Sequence, residues 1–311
     1  MNERYYTFAA YLKKQGYAGR VQKLSLHAGF TCPNRDGSIS RDGCIFCDNT
    51  SFVPPLRNNT PLSVPEQITT GMEALKKRYG AEHFIAYFQS FTNTYASFET
   101  LKKTYDTVLE FPEVIGLSVG TRPDCIDEEK LGLIELYTGR LSEVWIEYGL
   151  QSIHDTTLNA INRGHDAAAF IEAVKKTRRY APHVKIGVHV ILGLPGEDEA
   201  MMVKTAQKLG ELKIDGVKLH PLYVVKGTEL EQQYNAGTLK LLSLQEYAHA
   251  AVRFMEELWP QTVVQRVGAD CPAHVLVAPA WISDKKGLQD AIAEMFNEEN
   301  SFQGEQWQDQ G

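Results

Sequence analysis

Cysteine is scarce in this chain, five residues in 311, and a total so small and odd argues against a disulfide framework. No apolar run approaches the roughly 20 residues that cross a bilayer. The opening MNERYYTFAAYLKKQGY likewise has no apolar signal-peptide core. Positive charge is not in excess: 32 Lys and Arg against 39 Asp and Glu leave a formal net charge of -7, so there is no global basic footprint for nucleic acid. The local runs Lys76-Lys77-Arg78 and Lys175-Lys176-Thr177-Arg178-Arg179 each close an amphipathic segment, where cations meet the negative end of a helix dipole. Internal repeats and low-complexity linkers are lacking too. These absences predict a cytoplasmic globular protein without membrane contact, long enough to bury a core unaided.

What is present is a rhythm. From residue 20 onward, β-rich runs at 21–28, 83–90, 114–120, 144–152, 184–194 and 215–225 alternate with stretches at 65–79, 97–110, 127–138, 155–162 continuing at 166–180, and 198–212. The latter place apolar residues at three- and four-residue steps. Parallel strands need crossovers of that length, so the alternation predicts a parallel sheet covered by helices. Nearly every strand run ends in polar or glycine-containing chemistry: FQSFTN, SVGTRPD, YGLQS, LGLPGE, LHPLY. A barrel gathers all such ends around one mouth. The expectation is an α/β chain built as a partial (β/α)6 barrel over 20–236, with an N-terminal helical segment at 1–19. A C-terminal α/β extension at 237–311 caps it, opening with the amphipathic stretch 242–259 and carrying a further strand candidate at 262–268. The polar end NEENSFQGEQWQDQG is expected to fray.

Three of the five cysteines fall together after the first strand run, in TCPNRDGSISRDGCIFCD (31–48), with spacing C-x11-C-x2-C. A C-x2-C pair lets two thiolates converge on one metal centre, and Gly37 and Gly43 permit the turns that return Cys32 to Cys44 and Cys47. The loop alone admits two readings. Zinc would call for a fourth ligand, with His27 or Asp48 on offer. A four-iron cluster on three cysteines would leave one iron open to a reactant. A structural zinc knuckle makes no demand on the other strand ends, yet those ends carry a coherent polar and glycine set.

The segment GFTCPNRDGSISRDGCIFC resembles the cysteine loop of the radical SAM superfamily. Within it, the likeness is to the bacterial YhcC/YtqA-type family, related to the Elongator radical domain and to oxygen-independent coproporphyrinogen oxidase. The likeness runs from about residue 20 to about residue 285. It implies a [4Fe-4S] cluster on Cys32, Cys44 and Cys47, with S-adenosyl-L-methionine (SAM) at the open iron. It also implies reductive cleavage of SAM to a 5'-deoxyadenosyl radical that takes hydrogen from a substrate.

The same resemblance assigns SAM contacts. Phe46 matches the aromatic position near the adenine. FQSFTNTY replaces the glycines of related enzymes, which leaves Ser90, Thr92 or Asn93 for the SAM amino group. In SVGTRPD, Gly120 stands where the porphyrinogen enzymes have a glutamate; Thr121 or Arg122 takes a polar role, or Arg122 pairs with Asp124 at the rim. In GLQSIHDTTLNAINRGHD, Gln151 reaches the ribose or carboxylate and Arg163 the SAM carboxylate, against a bland reading as helix-entry cap and surface ion pair. In HVILGLPGED, Gly193 and Gly196 give the bend, Ile191 lies against adenine, and His189 meets the ribose or the substrate. His220, Tyr223 and Lys226 border the substrate. Cys125 and Cys271 are radical quenchers, extra sulfur ligands or simply buried thiols, and Cys271, Trp281 and Lys285 help shape the pocket. The implied partners are a reducing protein such as flavodoxin or ferredoxin and, through the Elongator kinship, tRNA as one candidate substrate. The alternative is a zinc-stabilised or catalytically decayed barrel acting as a binding protein.

Overall fold

A computed structural model describes residues 4–48 and 62–309; the first three residues of the N-terminal segment and the last two of the C-terminal extension lie outside it. In chain order the elements are α1 (Phe8–Lys14), β1 (Arg20–Leu26), α2 (Val64–Tyr79), β2 (Ala81–Phe88), α3 (Phe98–Asp106), β3 (Val114–Thr121), α4 (Glu128–Leu136) and β4 (Glu143–Gln151). There follow α5 (Asp155–Ala160), α6 (Ala167–Tyr180), β5 (Lys185–Leu192), α7 (Glu199–Glu211), β6 (Gly216–Pro221), β7 (Val224–Val225) and α8 (Glu229–Asn235). The chain continues through α9 (Leu244–Glu256), β8 (Val263–Arg266), β9 (Leu276–Ala278) and α10 (Lys285–Glu298).

Helix starts follow local chemistry. Ser63, Ser97, Asp127, Asp166, Asp198 and Ser243 each accept an amide of the first turn, and Ser63 with Glu66 and Ser243 with Glu246 close reciprocal capping boxes. Gly80, at φ 63°, ends α2 in the left-handed conformation and delivers the chain straight into β2.

The strands form a parallel sheet in the order β1-β2-β3-β4-β5-β6-β8, curled into a half-barrel. The six expected strands are all there, and β8 adds a seventh by pairing Gly216 with Val263 and Lys218 with Arg266. The run 215–225 divides: β6 stays in the sheet, whereas β7 pairs antiparallel with β9. The period of two sorts the side chains. Leu24, Phe88, Val119, Ile146, Val188 and Leu219 face the helices in the main core, while Lys23, Tyr87, Gly120, Glu147, His189 and Lys218 line the concave side.

Through residue 309 the polar C-terminal stretch does not fray. Gln303 and Gly304 donate to the carbonyls of Arg4 and Met255 at 2.9 and 3.1 Å, and Trp307 Nε1 donates to the Gly210 carbonyl at 3.2 Å. Composition hides this because the anchors are backbone pairs, the Trp307 indole, an Asp309–Lys213 ion pair at 2.8 Å and the Gln303 amide, which accepts from the Tyr6 amide at 2.9 Å and donates to the Thr262 carbonyl at 2.8 Å. Among the described residues no helix is long and apolar enough to cross a membrane.

Candidate functional site

The cysteine loop is held less by its own strand than by the α5 to α6 connection. Arg35 and Asp36 amides donate to the Cys32 carbonyl at 2.8 and 3.0 Å, and the Cys47 amide to the Cys44 carbonyl at 3.0 Å, making two tight turns. Asn34 Nδ2 donates to the Asn162 carbonyl at 2.7 Å, and Asn162 Nδ2 returns a bond to the Gly43 carbonyl at 2.6 Å. Gly164 is needed at this junction: its φ is 73°, and a Cβ there would stand 2.7 Å from Asn34 Oδ1.

Cys32, Cys44 and Cys47 line a cavity of about 670 Å³ at the C-terminal end of the strands, where barrel enzymes place their chemistry. Asn34 Nδ2 lies 3.6 Å and Arg163 Nη1 3.5 Å from Cys44 Sγ. Burial, then the neighbouring Cys44, push the Cys47 thiol up to about 11, against the pull of Arg35 and Arg163. Three soft donors with N–H groups turned to a sulfur suit an iron-sulfur cluster, whose potential depends on such bonds. Among the described residues no group of three His, Cys, Asp or Glu side chains is arranged around a single metal ion; thiols that each bind a separate corner of a cube stand farther apart than ligands of one ion. His27, the first candidate for a fourth zinc ligand, does not line this cavity and packs on Phe91 at 5.6 Å.

Of the residues assigned to SAM, Phe46, Ser90, Thr92, Gly120, Thr121, Gln151, Arg163, His189 and Ile191 all line the same cavity. Asn93 does not. Fully buried, it donates from Nδ2 to the carbonyls of Phe88 and Gly120 at 3.0 and 2.8 Å, which fixes the cavity wall from behind. Thr92 Oγ1 is buried without a partner. Gln151 and Phe91 adopt φ of 78° and 67°, a region costly for side chains with a Cβ and concentrated at functional sites. For Gln151 the cause is a register shift against β5 between Gly149 and Gln151.

Arg163 is buried, not a surface ion pair. Its Nη2 and Nε donate to the Gly149 carbonyl at 2.5 and 3.2 Å, and a Cβ at Gly149 would lie 2.5 Å from that Nη2. Arg122 braces the arrangement, donating from Nη1 to the Arg163 carbonyl at 2.8 Å while Nε and Nη2 hold Asp124 at 2.9 and 2.7 Å. His220 and Tyr223 border the cavity; Lys226 instead turns away and donates to the His274 carbonyl. Neither Cys125 nor Cys271 lines it, and burial pushes the Cys125 thiol up to about 12. Trp281 donates to the Leu242 carbonyl at 3.1 Å, and Lys285 pairs with Asp270, tying the extension together.

The floor of the cavity is the part that sequence reasoning missed. Glu147, wholly buried, accepts on Oε1 from Lys23 at 2.6 Å and Ser118 at 2.7 Å, and on Oε2 from His189 at 2.7 Å and from Lys218. Burial raises the carboxyl pKa, but Lys218 and Lys23 outweigh that and hold it well below the carboxylate range. His189 thus faces the floor, where burial and Lys218 push it down to about 4. One signal was available: Glu147 is the lone charge in the run VWIEYGL (144–150), and such a charge stays buried only when paired. A larger concavity of about 1620 Å³ opens at the other end of the strands, between α1 and α10, and holds none of the cysteines.

Known proteins resemble this chain in sequence and in fold. The model of the Radical SAM superfamily matches residues 32–209, and that of the Radical_SAM C-terminal domain matches 214–298. Protein YhcC of Escherichia coli K12 is 37% identical over 269 residues, 86% of this chain and 85% of that protein. The tRNA uridine(34) acetyltransferase of Methanocaldococcus jannaschii is 29% identical over 167 residues, 52% of this chain but only 30% of the enzyme. Among solved structures, Elp3 of Methanocaldococcus infernus with an N-terminal deletion superposes with a TM-score of 0.66 at 19% identity. That likeness covers 92% of this chain and 65% of the other, so this chain spans less than two thirds of it.

Proposed function

The chain belongs to the radical SAM superfamily, and from that premise we propose that it is an enzyme holding a [4Fe-4S] cluster on Cys32, Cys44 and Cys47 and cleaving SAM there to modify a substrate in tRNA. When bound, the cluster and SAM supply a one-electron reductive cleavage that yields methionine and a hydrogen-abstracting 5'-deoxyadenosyl radical. The observation that carries the reading is the convergence of the three thiols with Gln151, Arg163 and the unpartnered Thr92 hydroxyl on one cavity at the strand ends.

This chain's own groups divide the work. Three thiolates for four irons leave one iron without a protein ligand. Arg163, locked on the Gly149 carbonyl beside Cys44, offers a fixed positive charge to the SAM carboxylate. Ser90 and Thr92 provide hydroxyls for its amino group, Gln151 and Thr121 meet polar atoms of the ribose, and Ile191 and Phe46 supply apolar contact for the adenine. Asn93 acts as a positioning residue by fixing Gly120. The electron comes from a cytoplasmic donor of the flavodoxin or ferredoxin type. Support for tRNA is the similarity to the tRNA uridine(34) acetyltransferase. The barrel supplies position and shelter from water.

Anaerobic iron and sulfide analysis joined to a reductant-dependent 5'-deoxyadenosine assay tests the reading. Wild type should hold about four irons per chain and cleave SAM, whereas Cys44→Ala should lose both with its circular dichroism unchanged. Zinc alone in oxygen-free protein, or a cluster that never cleaves SAM, would refute it. Mass spectrometry of tRNA nucleosides with and without the gene tests the substrate class.

A further inference from the structure

The cavity floor carries more positive charge than its carboxylates neutralise. Strand register sets Gly149, His189, Lys218 and Arg266 in one lateral row across β4, β5, β6 and β8, and Lys23 reaches the same place from β1. Glu147 stands among them with both oxygens already taken. Asp270, at the rim, lies 3.4 Å from Arg266 Nη1 and is shared with Lys285. Three floor cations therefore face one saturated carboxylate and one divided one, and the third carboxylate of the lining, Asp48, stands on the cysteine loop with Arg35. His189 and His220, stacked at 5.6 Å, add no negative charge, and Tyr87 offers only a phenol whose proton is held tightly by burial and by Glu147.

Arg266 is the floor cation with the loosest ion pair, to Asp270 at 3.4 Å. Its Nε is buried and unpaired. Its Nη2 lies 2.9 and 3.1 Å from the two ring nitrogens of His220, within hydrogen-bond reach of whichever accepts, so it meets an imidazole there rather than an anion. A planar guanidinium so placed at the wall of a cavity matches the two oxygens of a carboxylate or phosphate.

We propose that this floor is an anion pocket for the substrate: the group that enters the half-barrel carries an oxyanion, carboxylate or phosphate, that docks on Arg266 with Lys218 and His220 beside it. The proposal rests on the reading of the cavity as the radical chamber. It also accounts for how an acidic protein attracts an acidic substrate, because charges on a low-dielectric wall focus the field locally whatever the net charge.

The test is calorimetric titration of the anaerobically reconstituted protein, with SAM present, using three small probes: N-acetylglycine, methyl phosphate and the neutral N-acetylglycinamide. At least one anion should bind with a Kd on the order of millimolar, as suits so few atoms, and the neutral amide at least about tenfold more weakly. Which anion binds better separates a carboxylate from a phosphate source. Arg266→Gln should weaken the anion about tenfold and leave the amide unchanged, while Arg179→Gln, on the exposed face of α6, should change neither. If Arg266→Gln does not fold, Arg266→Lys, which keeps the charge and loses the fork, should still cost severalfold. Equal binding of amide and anions, or undiminished anion binding by a folded Arg266 variant, overturns the proposal. Substrate-free 5'-deoxyadenosine formation is read alongside. Anion binding without SAM cleavage sinks the enzymatic reading and leaves the pocket standing; cleavage without anion binding sinks the pocket alone.

Discussion

Replacing Glu147 by Gln keeps the shape of the barrel floor and removes its central negative charge. Lys218, with a side chain only 7% exposed, then remains above the Tyr87 ring, its Nζ 4.0 Å from the centroid, without a counter-charge. Removing one partner of a buried pair costs about 3–5 kcal/mol because the other charge is stranded. An unfolding entropy of about 2.1 cal/mol/K per residue gives about 0.65 kcal/mol per kelvin for this length. The thermal midpoint at pH 7 should therefore fall by about 5–8 °C. The sign of the pH effect follows from Lys218. Burial already holds its pKa below the ordinary value, against the pull of Glu147, and without Glu147 it falls further. The penalty is that of keeping Lys218 charged, so the deficit should narrow as pH rises through the lowered Lys218 pKa. Adding Lys218→Met removes the stranded charge and should recover at least half of the loss. The assay is circular dichroism of the anaerobically reconstituted proteins at a common scan rate. A fall under about 1 °C, or a double variant no better than the single, would refute the argument that an unpaired charge dominates.

Gly149→Ala puts a Cβ 2.5 Å from Arg163 Nη2 and should displace the guanidinium, raising the KM for SAM about tenfold or more at unchanged iron content; an unaltered KM would remove Arg163 from the SAM carboxylate. Burial, with Arg163 beside it, pushes His165 down to about 3. The folded protein then binds fewer protons than the unfolded chain below pH 6.5, so stability falls as pH drops from there towards 3. His165→Gln should flatten that slope by up to about one proton, and urea midpoints at pH 4, 5 and 6.5 that fall in parallel with wild type would contradict the assignment.

Much of this fold is carried by local chemistry that is readable in one dimension. Serine and aspartate caps, three-residue and four-residue apolar steps and two-residue alternation locate α2, α6, α7 and the six strands β1 to β6 to within a few residues, because each is a property of neighbours along the chain. The cysteine trio is legible for the same reason, since ligand spacing and turn-forming glycines are local too. What needed the tertiary structure is every feature made by distant segments meeting. Lys23, Glu147, Lys218 and Arg266 stand in separate strand runs that nothing in the linear order pairs until strand register lays them across one floor. Asn93 looks like a SAM ligand until its amide is found bracing Gly120, and the polar C-terminus looks free until its backbone pairs with Arg4 and Met255. Patterns of hydrophobicity determine which face of an element is buried; only packing decides which polar groups share the space that remains, because the energy of a charge depends on neighbours that the linear order does not specify.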